Sequence, residues 1–550
     1  MPETPRLPLG IRYTLPGSYG ALLLGCLAFT PSLLPRPSVF QGLVAGVTSA
    51  LGYGVGVLVA YVWRELVDRD AHEPQRRSWW IFLGVAVVAV VASLVLGRFW
   101  QDEIRELMGM EKEPLAWLLV VPVLWMVVTV LLVQLGRGVR WVYRRLVRLL
   151  DRALGERASK VIGLVVVVGL LVAAIDGVLF ERLRATADEV FSYRNTITPA
   201  GVVQPDEPER SGSEDSLIPW DSLGREGRVF ASSGPRAADV AAFTGRPATE
   251  PVRVFAGLES ADDVASRAAL AVEDLERAGA FERRRLLVVT TTGSGWVEET
   301  SASSFEYLGD GDTAIVAMQY SSFPSWISYL VDQEQAQDSG RELFDAVYAH
   351  WTAQPVDQRP ELYVFGESLG SFGGEAAFSG AYDIANRTSG ALFVGPPSFN
   401  PLWGRFVGDR EAGTPEVLPV YQDGARVRFA RRTSQPIPPE GQPWDGTRVL
   451  YLQHASDPIV WWNEQLVFSR PGWLEEERGP DVLPSVRWIP LVTFWQVTAD
   501  MALGTEVPAG YGHNYAGEHV DAWATILRTP DWTTARSQQL RALVTEADPD

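Results

Sequence analysis

Cysteine is almost absent: Cys26 is the one thiol in 550 residues. No intrachain disulfide is therefore possible, and stability has to come from a packed core. Lysine is nearly as scarce, Lys112 and Lys160 being the two among 48 basic residues. Against 67 acidic residues and a net charge of -19, that scarcity argues against nucleic acid as a partner. Histidine occurs five times, so a search for imidazole chemistry is short. No fixed-period repeat is present, and nothing in the sequence calls for a cofactor or a metal.

Charge is missing in whole stretches. Ser18 to Pro35, Pro37 to Trp63, Ser78 to Gly97 and Pro114 to Gly136 carry none, and Val161 to Phe180 carries Asp176 alone. About 20 apolar residues suffice for a helix to cross the hydrocarbon core, so the spacing predicts a transmembrane bundle of about five helices over residues 1–180. Glycines at 42, 46, 52 and 56 in the second of these would let another helix approach closely. Up to Phe180 there are 18 basic and 13 acidic residues, and beyond it 30 and 54; the two parts face different surroundings. Arg137, Arg140, Arg144, Arg145, Arg148, Arg152, Arg157 and Lys160 crowd one loop, which the positive-inside rule places in the cytoplasm. An odd number of spans then puts everything after Phe180 outside, on a multi-pass protein of the cell membrane.

Residues 181–216 include the polar run QPDEPERSGSEDS and read as a linker. From 217 to 550, short apolar runs alternate with helical patterns: strands are expected at Arg253 to Ala256, Arg285 to Thr290, Thr313 to Met318, Leu362 to Phe365, Ala391 to Val394 and Arg448 to Leu452. Helices are expected at Ser260 to Ala278, Ser339 to Trp351, Leu369 to Phe378 and Glu518 to Leu527. That alternation predicts an α/β domain with a mostly parallel sheet and helices on both faces.

Ser368 lies in Gly366-Glu-Ser-Leu-Gly370, between the expected strand and helix. With 50 glycines in the chain, a G-x-S-x-G match carries little by itself. Its position at a strand-turn-helix junction is what a nucleophile elbow requires. A serine hydroxyl needs a base, and the base needs an orienting acid. His513, in the loop Ala509-Gly-Tyr-Gly-His-Asn-Tyr515, is the candidate base, with His519 its competitor; His72 and His350 lie out of reach, and His454, three residues before the expected acid, is expected to pack or hydrogen-bond beside it. Asp457, in His454-Ala-Ser-Asp-Pro458, follows a strand and is the candidate acid, giving the chain order Ser, Asp, His. The oxyanion of a tetrahedral intermediate needs two N–H donors. Leu369 is the first; the second is expected from Thr291-Thr-Gly-Ser-Gly-Trp296, at Ser294 or Gly295. Between Asp457 and His513, five tryptophans and Phe468 and Phe494 belong equally well to a lid or acyl-chain groove and to ordinary core.

The whole chain, apolar spans followed by TTGSGW, GESLG, HASDP and GYGHNY, resembles the membrane-anchored α/β-hydrolases found mainly in actinobacteria. The resemblance implies an α/β-hydrolase fold with Ser368 as nucleophile, Asp457 as acid and His513 as base. TTGSGW departs from the HGGG oxyanion signature of lipases. The expected activity is that of a serine hydrolase, acting on a lipid or cell-envelope ester beside the bilayer through an acyl-enzyme. Acyl transfer by the same three groups is the near alternative, and a transporter or scaffold with a non-catalytic hydrolase domain is the distant one.

Overall fold

The computed structural model describes residues 13–68, 74–173, 177 and 181–546. They form two compact units: the described residues up to Glu181 together with Trp462–Pro508, and Arg182–Trp461 together with the described residues from Ala509 onward.

The first unit contains helices α1 (Leu15–Leu27), α2 (Ser38–Val67), α3 (Arg76–Leu107), α4 (Trp117–Leu154) and α5 (Glu156–Val172). Among the described residues, three helical stretches are long and apolar enough to cross a membrane: α2, α3 and Trp117–Arg152 of α4. Of the five stretches expected, the described residues show these three at that length. α1 has 13 residues, about 20 Å at ~1.5 Å per residue, and the proline-bearing chain after it is not helical, so it falls short of the ~30 Å core. α5 has 17 residues, and the end of the fifth expected span, Asp176 included, lies outside the described residues. The glycine spacing does bring helices together. A Cβ on Gly52 or Gly56 would strike the backbone of α1 at Gly20 or Pro16, and one on Gly42 or Gly46 would press on Leu124 or Val128 of α4.

The tryptophan-bearing stretch 462–508 packs inside this first unit. Val492, on the helix Val492–Met501, shares a core with Ala28, Phe29, Val44, Trp117, Val121 and Trp125, flanked by Ile489 and Trp495. Gln496 Nε2 donates to the Thr30 carbonyl at 2.8 Å. Asp500 accepts from the N–H of Leu33 at 3.1 Å and from the Ser32 hydroxyl, and faces the buried guanidinium of Arg36 at 3.8 Å. Burial pushes the Asp500 carboxyl up to about 6, against the pull of Arg36. With Trp473 buried as well, much of this stretch serves as core.

The second unit is built on seven parallel strands: β1 (Val252–Ala256), β2 (Arg285–Thr290), β3 (Thr313–Met318), β4 (Glu361–Glu367), β5 (Gly390–Val394), β6 (Val427–Ala430) and β7 (Arg448–Leu452), in the order β1-β3-β2-β4-β5-β7-β6. Every residue of β2 and β3 is buried, as strands covered on both faces require. The connections leave β2 and β4 in opposite directions, so their carboxyl ends flank a topological switch point, where α/β sheets place ligands. Helices α6 (Glu181–Thr196), α7 (Val264–Arg277), α8 (Glu299–Leu308), α9 (Gln333–Ala353), α10 (Leu369–Glu375) and α11 (His519–Ile526) complete the elements used below.

The polar segment expected as a linker is helical as α6 up to Thr196 and then stitched to the sheet. Ser211 N–H donates to the Arg253 carbonyl at 2.9 Å and Arg253 N–H to that of Glu209 at 3.0 Å. The hydroxyls of Ser211 and Ser216 reach Asp274 of α7 at 2.8 and 3.0 Å. Composition hides this, because the partners that hold Ser211 and Ser216, Arg253 and Asp274, lie far along the chain.

Arg253 of β1 is itself fully buried. Its guanidinium donates to Glu306 at 2.7 and 2.8 Å and to Glu299 at 2.8 and 2.9 Å, both on α8. Arg253→Met would leave two buried carboxylates facing each other, a loss of about 3–5 kcal/mol. Those carboxyls would then titrate above their unfolded values, so their cost is present at high pH and relieved as pH falls. Chemical denaturation at pH 7.5 and 5.5 should show the difference from wild type shrinking at the lower pH.

Candidate active site

β4 ends at Glu367 and α10 begins at Leu369, which leaves Ser368 alone to make the turn, at φ 52° and ψ -126°. Side chains with a Cβ avoid positive φ, and holding one there costs on the order of 1–3 kcal/mol. The surroundings enforce it. Ser368 N–H donates to the Val394 carbonyl of β5 at 2.8 Å, and the Ser368 carbonyl accepts from the N–H and hydroxyl of Ser371 at 2.9 and 2.7 Å. Strand, turn and helix are so close that a Cβ on Gly366 would strike the Gly370 carbonyl, and one on Gly370 the Thr290 carbonyl. Both glycines flanking the serine are therefore steric necessities.

The far end of α10 is clamped by Glu375, which accepts from Tyr451 Oη at 2.9 Å, Asn400 Nδ2 at 3.1 Å and the N–H of Leu402 at 2.8 Å. Burial pushes this carboxyl up to about 7, although those donors pull the other way.

The loops after β7 and before α11 bring Asp457 and His513 together. His513 Nδ1 lies 2.7 Å from Asp457 Oδ2, and Tyr515 Oη donates to the same oxygen at 2.7 Å. Ile459 N–H occupies Asp457 Oδ1 at 2.8 Å. The two loops are tied by Gly512 N–H to Ser456 Oγ at 2.9 Å. A carboxylate that accepts at Nδ1 fixes the tautomer, so Nδ1 carries the proton and Nε2 is left as the basic nitrogen. Burial alone would push the His513 imidazole down; the Asp457 carboxylate, with Glu367 beyond it, more than offsets this and raises it above the ordinary histidine value. The imidazole lies against Gly395, where an added Cβ would sit 2.5 Å from Cε1. Gly395 directly follows Val394, the residue to which Ser368 is bonded.

The other histidines are committed elsewhere. His519, the competing base, is wholly buried at the start of α11, with Nε2 3.0 Å from Glu367 Oε2 and Nδ1 3.0 Å from Thr300 Oγ1. His454 Nδ1 faces the Gly512 carbonyl at 2.9 Å and its ring stacks on Tyr515. His350 packs at a tilt against Phe281, and His72 lies outside the described residues.

Leu369 opens α10, so its N–H has no acceptor within the helix. The loop after β2 corrects one expected donor: Gly295 N–H is spent on the Thr292 carbonyl at 2.8 Å, closing a tight turn. Ser294 turns its carbonyl to Gln319 Nε2 at 2.8 Å, beyond the end of β3, whereas the carbonyls nearest Gly370 are those of Thr290 and Thr291. Leu369, Phe372 and Tyr320 form a small core with Phe399 beside the turn. Sequence reasoning passed over Tyr515 and Glu367. Each sits within two residues of a motif residue, and that adjacency was the one signal available.

A family model described as "Alpha/beta-hydrolase family" matches residues 252–540, and one described as "Alpha/beta-hydrolase family N-terminus" matches residues 29–235. No curated protein and no solved structure matches the chain.

Proposed function

The chain belongs to the alpha/beta-hydrolase family, and on that footing we propose that it is a membrane-anchored serine hydrolase acting on carboxylic esters. Ser368 attacks the ester carbonyl while its proton passes to His513 Nε2. Asp457, steadied by Tyr515, holds the ring and offsets its positive charge. Leu369 N–H donates to the oxyanion. The proton then goes to the departing alcohol, leaving an acyl-serine. Water, deprotonated by His513, releases the acid and restores the hydroxyl.

The observation that carries this reading is the strained serine at φ 52°, on a loop end beside the glycine that supports His513. A turn serine with no task has no reason to bear that strain. For the setting, three stretches have the length and apolarity of membrane spans; the basic residues expected in a loop lie on the last turns of α4 and the start of α5, and they argue for a cytoplasmic face at that end. The fifth expected stretch, Val161 to Phe180, then returns the chain to the outer face, where the hydrolase unit meets the esters of lipids and the cell envelope.

A fluorophosphonate probe tests the reading. The detergent-solubilised chain should take up one equivalent, and peptide mapping should put the adduct on Ser368. A panel of esters of increasing acyl length, read for free acid and for acylated acceptor alcohols, then separates hydrolysis from acyl transfer. An unreactive chain, or an adduct elsewhere, would overturn the assignment.

A further inference from the structure

A second buried acid–imidazole pair lies behind the elbow, and the mechanism above does not use it. Glu367 immediately precedes Ser368, and its Oε2 is 3.0 Å from His519 Nε2. The other ring nitrogen, Nδ1, is 3.0 Å from Thr300 Oγ1. Thr300 in turn gives its single hydroxyl proton to Glu298 Oε1, 2.6 Å away, and its N–H reaches the same oxygen at 3.0 Å. With its proton committed to Glu298, the Thr300 hydroxyl can only accept from the ring, so His519 Nδ1 must carry hydrogen. Nε2 of a neutral ring would then be a bare acceptor facing a carboxylate oxygen, an arrangement that burial makes costly. A proton must therefore lie between Nε2 and Oε2, as imidazolium with carboxylate or as imidazole with carboxylic acid.

We propose that Glu367 and His519 share one buried proton and act as a positioning pair for the reaction, holding the elbow from behind and setting the electrostatic environment of His513. The proposal rests on the serine-hydrolase reading. Placement supports it: Glu367 is the last residue of β4, hydrogen-bonded in register with Val394, and neither it nor His519 is more than slightly exposed. The groups facing His519 are Glu367 from β4, Glu298 and Thr300 from the start of α8, and Glu518 beside it. Those facing His513 are Asp457, Tyr515 and, farther off, Glu367. Burial would lower the His519 imidazole, yet Glu367 first and Glu298 and Glu518 after it hold it above its ordinary value, as a ring that keeps its second proton requires. Glu367 also contributes to the raised His513. The pair acts through His513 and the turn, without touching substrate.

Glu367→Gln separates this role from a purely structural one. The glutamine amide can donate to a neutral His519 Nε2, so every buried group keeps a partner while the shared proton and the carboxylate charge disappear. The rate of fluorophosphonate labelling at Ser368 is followed from pH 5 to 9 in wild type, Glu367→Gln and His519→Phe. The inference expects the acid limb of the Glu367→Gln profile to move to lower pH by a few tenths of a unit, with the plateau rate falling about 3- to 30-fold. His519→Phe, which strands the carboxylate, should lose more than Glu367→Gln. A Glu367→Gln limb that coincides with wild type would overturn the positioning role and leave the hydrolase reading standing. A wild-type chain that never labels would overturn both.

Discussion

Ser368→Ala is expected to lower kcat/KM toward an activated ester by about 10⁵- to 10⁶-fold, since the members of such a constellation act as a unit. The fold should not change. The position demands φ 52°, a strain that alanine bears as serine does, and the hydroxyl has no partner among the contacts that hold the turn in place. The hydrogen bonds that fix the elbow run through the Ser368 backbone, to Val394 and Ser371. Thermal unfolding of the variant should therefore match wild type while turnover vanishes. Activity above about a hundredth of wild type would mean that another group performs the attack.

Asp457→Asn should cost about 10⁴-fold and move the pH profile in a defined direction. On the proposed mechanism His513 works as a base when neutral, so kcat/KM should fall as pH drops through the His513 pKa of the free enzyme. In wild type the Asp457 carboxylate, 2.7 Å from Nδ1, favours imidazolium and holds that pKa above its ordinary value in spite of burial. Removing the charge leaves burial the stronger influence, and the imidazole falls. The acid limb should then shift to lower pH even as the plateau collapses. Tyr515 Oη donates to one Asp457 oxygen and Ile459 N–H to the other; asparagine keeps one acceptor, so one of these donors loses its partner and a modest loss of stability should accompany the shift. Profiles between pH 5 and 9 decide it: a limb that stays in place or moves upward would mean that Asp457 is not what raises His513.

How far the residues alone disclosed this molecule depends on how local each cause is. Three strands, β2, β3 and β7, run over the residues expected, because each is a short, nearly uninterrupted apolar run between polar turns. β6 was invisible: Val427-Arg-Phe-Ala430 has two large apolar residues and lies among charged and proline-rich neighbours. Ser368, Asp457 and His513 could be proposed as a set because their element ends follow a fixed chain order, and the expected Asp457–His513 contact is present. The oxyanion loop was not, because which N–H a glycine-rich turn turns inward depends on hydrogen bonds closed by residues far away, such as Gln319 on Ser294. The role of 462–508 was hidden for the same reason. Its tryptophans fit a lid and a core equally until their partners, Phe29 and Trp117 among them, were known.

That excursion constrains what can be made from this gene product. It departs five residues after Asp457 and returns five before His513, yet in between its apolar side is covered by Ala28, Phe29 and Val44. No single cut yields a freestanding α/β-hydrolase unit, because a fragment begun near residue 217 would carry Val492 and Trp495 bare to water and Asp500 stripped of Arg36. Anchor and hydrolase are interleaved along one polypeptide, and purification has to treat them as one object.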